Sequence, residues 1–131
     1  AETGHLVFST LHTNSAAQSI DRIVDSFSAD QRSQIRLQLA ATLKGVISQR
    51  LVPKIGGGRV PAVEILLGTP AAASNIRDGK SHLIDSVIQT SKDLGMITID
   101  ESLARLVKDG IITIDDAKLY ALRMNELTRL V

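Results

Sequence analysis

The sequence predicts an α/β fold that ends in a small helical bundle, and three observations support this prediction. A short apolar run at residues 5–11 is followed directly by a helix-type pattern. Two further apolar runs flank the glycine triplet at residues 56–58, as is typical of a β-hairpin. After Pro70, short amphipathic patterns follow one another, and each is bounded by residues that begin or end helices.

The composition excludes several classes of protein. No cysteine occurs among the 131 residues, so disulfide scaffolds and cysteine-based metal sites are excluded. Fifteen Lys and Arg against fourteen Asp and Glu give a net charge of +1, which is too small for the basic surface of a general nucleic-acid binder. We also expect no membrane segment, because no apolar run approaches the roughly 20 residues that a bilayer span needs and no signal sequence opens the chain.

The first predicted elements are a strand and a helix. The run at 5–11 combines apolar, β-branched and aromatic residues, and this predicts a strand buried on both faces of a parallel sheet. After a polar turn, Ser15 and Gln18 fit a capping box, although the two residues before Ser15 are alternative caps. Apolar residues then recur at helical spacing, at Ile20, Ile23, Val24 and Phe27.

A second helix and a β-hairpin are predicted next. The helical pattern begins near Ala29 and is expected to end near Gly45. Residues 46–53 and 59–67 form the arms of the hairpin, because part of each arm alternates apolar and polar residues around a glycine-rich tip. The proline that ends the first arm suits a strand end, since it has no N–H to donate.

Short helices are predicted for the rest of the chain. Pro70 suits the first position of a helix, and Gly79 suits the position after its end. The next three helices are expected to start after Ser81, at Asp100 as the cap, and at Thr113 with Asp116; the second stops at Gly110 and the last near Arg123.

The three histidines do not predict a metal site. His5 and His12 lie seven residues apart, so a strand would hold them about 23 Å apart and on opposite faces. His82 has no acidic or histidine partner at ligand spacing. His12 is different in another respect, because ligands of open α/β sheets bind beyond the carboxyl ends of strands. It either donates a hydrogen bond to a phosphate or only tightens the turn, and the spacing favours neither.

The glycine triplet and Glu64 are two further candidates for a functional role. The glycine triplet is followed by Arg59 and a strand rather than by Lys, Ser or Thr and a helix, so it predicts a hairpin tip and not a phosphate-binding loop. No P-loop motif occurs elsewhere in the chain. Glu64 lies inside an apolar run and is either a buried carboxylate or a water-facing residue of an edge strand. The water-facing alternative is favoured.

Several segments carry a family resemblance. Residues 1–16, with the sequence Ala-Glu-Thr-Gly-His-Leu-Val-Phe-Ser-Thr-Leu-His-Thr-Asn-Ser-Ala, closely resemble the "His box" of secretion and type IV pilus motor ATPases. Residues 59–66, 70–80 and 88–100 resemble the PilT group, which powers pilus retraction. The resemblance implies the C-terminal half of a RecA-like P-loop ATPase core at residues 1–69 and a helical C-terminal region at residues 70–131.

The resemblance also implies site residues and a setting. His12 corresponds to the histidine associated with the γ-phosphate and is the expected catalytic residue, while His5, Thr10 and Thr13 join it as expected nucleotide-binding residues. ATP and Mg²⁺ are the expected cofactors of the complete enzyme, which forms a ring of six in the cytoplasm, peripheral to the inner membrane, on platform proteins of the pilus. In the family the P-loop precedes the His box. We therefore expect this chain alone to be inactive, to bind no nucleotide tightly, and to self-associate through its exposed strand edge.

The sequence also allows three alternatives to a retraction motor. The retraction group has Ala-Ile-Arg-Asn-Leu-Ile-Arg-Glu where this chain has residues 71–78, and Ala73 replaces the first Arg of that pattern. This leaves a PilU-like paralogue open. A secretion or extension ATPase shares the chemistry, but such relatives often carry a four-cysteine module that is absent here. A non-catalytic module that binds ring subunits or pilus components is the alternative from another class.

Overall fold

The computed structural model describes residues 1–131 and contains seven α-helices and one two-stranded sheet. Two single turns of 3₁₀-helix lie at Ser81–Leu83 and Lys92–Leu94. In chain order the elements are α1 (Ala16–Asp25), α2 (Arg32–Thr42), β1 (Gly45–Pro53), β2 (Arg59–Leu67), α3 (Pro70–Arg77), α4 (Ile84–Thr90), α5 (Ile99–Lys108), α6 (Ile114–Tyr120) and α7 (Met124–Leu130). None of these helices is both long enough and apolar enough to cross a lipid bilayer.

The predicted hairpin is confirmed. β1 and β2 pair antiparallel from Gly45 opposite Leu67 to Pro53 opposite Arg59. The three glycines at the tip all have positive φ, between 77° and 105°, a conformation that glycine adopts without steric cost. At the other edge of β2, Ile65 exchanges two backbone hydrogen bonds, of 2.9 and 3.3 Å, with Ile97.

The hairpin lies between two apolar clusters and contributes residues to both. The first cluster packs α1, α3 and α4 against one end of β2, and the second packs α5, α6 and α7 against the other end of the hairpin. The buried members of the first are Ala16, Ile20, Leu66, Ala72, Ile76, Ile84, Val87, Ile88 and Met96. Those of the second are Val52, Ala62, Ile99, Leu103, Ala104, Ile112, Ala117 and Leu127. Each cluster therefore draws residues from both sides of position 69.

The predicted buried strand at residues 5–11 is wrong for this structure. The segment has no regular secondary structure, and Leu6, Val7 and Phe8 are 77%, 59% and 88% exposed. A strand is defined by its hydrogen bonds to a neighbouring strand, and β1 and β2 pair only with each other and, at one bridge, with Ile97. The segment has the apolar composition of a strand, but β1 and β2 do not pair with it.

The helix starts are mostly as predicted, with two corrections. Ser15 caps α1 by accepting a hydrogen bond from the backbone N–H of Gln18, at 3.2 Å. Asp100 does not cap α5; Thr98 does, in a reciprocal capping box with Glu101. The last predicted helix ends at Tyr120, before the expected Arg123, and α7 follows it as a helix that was not predicted.

Candidate functional site

The loop at residues 12–15 is held by the first turns of α1. The Oγ1 of Thr13 lies 2.5 Å from the Oγ of Ser19, and the backbone N–H of Asn14 donates to the Oε1 of Gln18 at 2.7 Å. Together with the Ser15 cap, these contacts tie three consecutive loop residues to one helix end. A loop fixed in this way presents the preceding residue, His12, from a defined position.

The predicted site residues do not form a cluster in this structure. Thr13 is half-buried against α1, whereas His5, Thr10 and His12 are exposed on the unpaired segment. His5 exchanges a hydrogen bond of 3.1 Å with the Oγ1 of Thr3, and no hydrogen bond connects His5, Thr10 and His12 to one another. The exposed imidazole of His12 and the exposed hydroxyl of Thr10 are thus available to an external group such as a phosphate oxygen.

Glu64 is a buried carboxylate, so the favoured interpretation of a water-facing residue is wrong. Its side chain lies on the face of β2 that also buries Ala62 and Leu66, and only 1% of the residue is exposed. Burial raises the pKa of the Glu64 carboxyl, and the hydrogen bond from Ala16 opposes this shift. The signal for burial was present in the sequence, because Glu64 shares the parity of Ala62 and Leu66 along the strand.

The Glu64 carboxylate joins the starts of two helices. Its Oε1 accepts a hydrogen bond of 2.8 Å from the backbone N–H of Ala16, the first residue of α1. Its Oε2 accepts one of 3.4 Å from the backbone N–H of Ile99, the first residue of α5. Both helix ends present unpaired N–H groups and the positive end of a macrodipole, which a carboxylate stabilises.

Asp100 makes the corresponding contact at α7. It is fully buried, and its carboxylate accepts hydrogen bonds from the backbone N–H groups of Leu122, at 2.9 Å, and Arg123, at 3.2 Å. Burial raises its pKa as well. This role differs from the predicted one, in which Asp100 caps its own helix. The Thr98-x-x-Glu101 pattern is the sequence signal for the true cap, and it leaves the Asp100 carboxylate without a capping role in α5.

The available groups suit a phosphate better than a metal ion. No three His, Cys, Asp or Glu side chains lie within ligating range of one another. The loop at 12–15 is followed by Ala16, whose N–H is already bonded to Glu64, so the start of α1 is not free to bind an anion. The groups of this loop that remain free to meet an anion therefore include side chains, among them the exposed imidazole of His12.

Similar proteins are found both by sequence and by structure. The sequence model of the family "Type II/IV secretion system protein" matches residues 1–101. The type IV pilus retraction ATPase PilT of Pseudomonas aeruginosa is 52% identical over 118 residues, which cover 90% of this chain and 34% of that protein. A twitching motility protein of Neisseria gonorrhoeae is 48% identical over 122 residues, covering 92% and 33%. The crystal structure of the pilus retraction motor PilT with bound ADP matches with a TM-score of 0.87 and 46% identity, covering 98% and 36%.

These matches agree with the fold and with the resemblance found in the sequence. The chain spans about a third of the length of the curated relatives it matches. The structural match confirms the predicted α/β fold as that of the C-terminal part of a PilT-like ATPase. Since the family model covers 101 of the 131 residues and the structural match almost all of them, the chain belongs to the type II/IV secretion system protein family.

Proposed function

We propose that this chain is the C-terminal part of a type IV pilus retraction motor, an ATPase that couples ATP hydrolysis to pilus disassembly. The observation that carries the proposal is the high identity to PilT over nine-tenths of the chain, together with the near-complete structural match. His12 also supports the proposal, because its exposed imidazole lies on a loop and can donate a hydrogen bond to a phosphate oxygen.

In this proposal His12 contacts the γ-phosphate of ATP. A neutral imidazole donates one N–H to a phosphate oxygen, and a donor placed where negative charge develops lowers the barrier to phosphoryl transfer. Thr10 and Thr13 position the segment on either side of His12, and His5 lies at its far end. Thr13 contributes through its contact with Ser19 rather than by facing the nucleotide.

In this proposal Mg²⁺ is not held by the loop at residues 12–15. The loop offers imidazole and hydroxyl groups, whereas Mg²⁺ prefers carboxylates and water. Both oxygens of the nearest buried carboxylate, Glu64, already accept backbone hydrogen bonds. The ion that accompanies ATP would be held by other parts of the complete motor, and the role of this chain is to position His12.

The proposed division of labour places the ATPase core at residues 1–69 and the helical C-terminal region at residues 70–131. Both apolar clusters cross this boundary, so the division concerns function and not packing. The complete motor would act as a hexameric ring at the cytoplasmic side of the inner membrane, on the platform proteins of the pilus.

The test is ATP hydrolysis by the full-length motor that contains this chain. His12→Ala is expected to lower kcat by roughly 10- to 1000-fold, the range for loss of one charge-stabilising donor. His82→Ala is the matched control, because His82 is also an exposed histidine but lies at the 3₁₀ turn before α4, and it should leave kcat unchanged. An unaltered rate in the His12 variant would return that residue to a structural role.

A further inference from the structure

The contact between Glu64 and two helix starts bears on how His12 is held. Along the chain, His12 is four residues before Ala16. The residues between them are tied to α1 by the contact of the Thr13 hydroxyl with Ser19 and by the hydrogen bond from the Asn14 backbone N–H to the side chain of Gln18. The position of α1 therefore determines the position of this loop. Glu64 fixes the first residue of α1 to β2, because its Oε1 accepts the Ala16 N–H at 2.8 Å.

We infer that Glu64 is a positioning residue for His12: its carboxylate fixes the start of α1, and hence the histidine loop, against the hairpin and α5. The inference rests on the proposed function, since it assigns to Glu64 the placement of a phosphate-reading group. Glu64 does not itself reach the nucleotide, because it is buried and both of its oxygens are occupied by backbone N–H groups.

The arrangement requires a carboxylate and not just a side chain of the right size. Two N–H donors from two separate helices converge on it, and a carboxylate is the only common side-chain group with two acceptor oxygens and no donor. A glutamine of the same shape has one acceptor oxygen, so one of the two helix starts would face an N–H₂ group instead. The neighbouring charges are mixed, since Asp85 opposes and Arg123 favours the ionised form of Glu64.

The hairpin side of the contact is poor in alternatives. Ser48 lies directly across from Glu64 in the strand register, and its hydroxyl is buried without a hydrogen-bond partner. In this structure the Ser48 hydroxyl therefore contributes no hydrogen bond to either helix start, and both are bound by Glu64. Asp100 serves as the natural comparison, because its carboxylate also accepts hydrogen bonds from two backbone N–H groups, but these belong to Leu122 and Arg123 just before α7 and not to α1 or the histidine loop.

The experiment measures ATP hydrolysis by the full-length motor with Glu64→Gln, His12→Ala and the two combined. Glu64→Gln is expected to lower kcat about 10- to 100-fold through misplacement of His12, while KM for ATP changes less than about twofold. In the His12→Ala background the same change should have little further effect, because the group that it positions is absent. Asp100→Asn, the matched control, is expected to lower the melting temperature but to keep kcat within about twofold.

The outcomes separate this inference from the function on which it rests. An inactive wild-type motor would overturn both, whereas an active wild type with an unchanged Glu64→Gln variant would overturn only the role of Glu64. Losses that multiply in the double variant would also overturn it, since they would show an effect of Glu64 that is independent of His12.

If Glu64→Gln does not fold, Ala16→Pro tests the inference instead, because it removes the N–H group that Glu64 accepts. Proline is tolerated at the first position of a helix, and the preceding Ser15 already has the extended conformation that a residue before proline prefers. The same loss of kcat is expected, and a normal kcat would contradict the inference.

Discussion

Removal of the Leu66 side chain tests whether the hairpin is an integral part of the first apolar cluster. Leu66 is fully buried and packs with residues of α1, α3 and α4. Leu66→Ala removes three side-chain carbon atoms, which account for roughly 2.4 kcal/mol of burial free energy at about 0.8 kcal/mol each. The cavity that remains adds to this loss. We expect a loss of about 3 kcal/mol in the free energy of unfolding.

Thermal unfolding converts this loss into a measurable shift. With an unfolding entropy of about 2.1 cal/mol/K for each residue, 131 residues give about 0.28 kcal/mol/K, so the melting temperature should fall by about 10 °C. Leu119→Ala is the matched control, because Leu119 is 79% exposed and should shift the melting temperature by less than about 2 °C. The two measurements are circular-dichroism melts of otherwise identical chains. Equal shifts in the two variants would refute the assignment of Leu66 to a packed core.

Three further predictions concern charge, capping and the unpaired segment. Burial raises the folded-state pKa values of Glu64 and Asp100 above their unfolded values, so protonation of these carboxyl groups favours the folded state. The free energy of unfolding of the wild type, relative to that of the Glu64→Gln, Asp100→Asn double variant, should therefore increase as the pH falls from 8 toward 4.5. Urea unfolding measures this difference, and a difference that stays constant with pH would contradict the prediction. Thr98→Ala removes the side-chain cap of α5 and should cost about 1 kcal/mol in the same assay, with no loss expected if the capping box is unimportant. The exposed apolar segment should make the isolated chain self-associate, and Phe8→Lys should shift light-scattering mass toward the monomer; a wild-type chain that is already monomeric would exclude this.

Sequence patterns predicted the elements whose causes are local. The cap of α1 at Ser15, the start of α3 at Pro70 and the glycine hairpin tip each depend on residues within one turn of the chain. Local rules also located Thr113 as the start of α6. The resemblance to the motor family rests on four segments, and the comparisons confirmed it. These segments are residues 1–16, 59–66, 70–80 and 88–100.

The errors concern contacts between residues far apart in the sequence. The segment at 5–11 has the composition of a strand, but pairing depends on a neighbour that composition does not reveal. Glu64 meets Ala16 and Ile99, which are 48 and 35 residues away, and no local pattern indicates those partners. The start of α7 also lacks a local signal, since no side chain caps it and the two residues just before it, Leu122 and Arg123, donate their backbone N–H groups to Asp100, 22 residues upstream of Leu122.

The placement of the hairpin between two apolar clusters has a mechanical consequence. Val52 and Ala62 belong to one cluster and Leu66 to the other, so a pull that separates the strands disturbs both at once. A load applied to α5, α6 and α7 would therefore reach α1 through the paired backbone of the hairpin. In the motor proposed above, this path would transmit displacement from the C-terminal helices to the helix that follows the His12 loop.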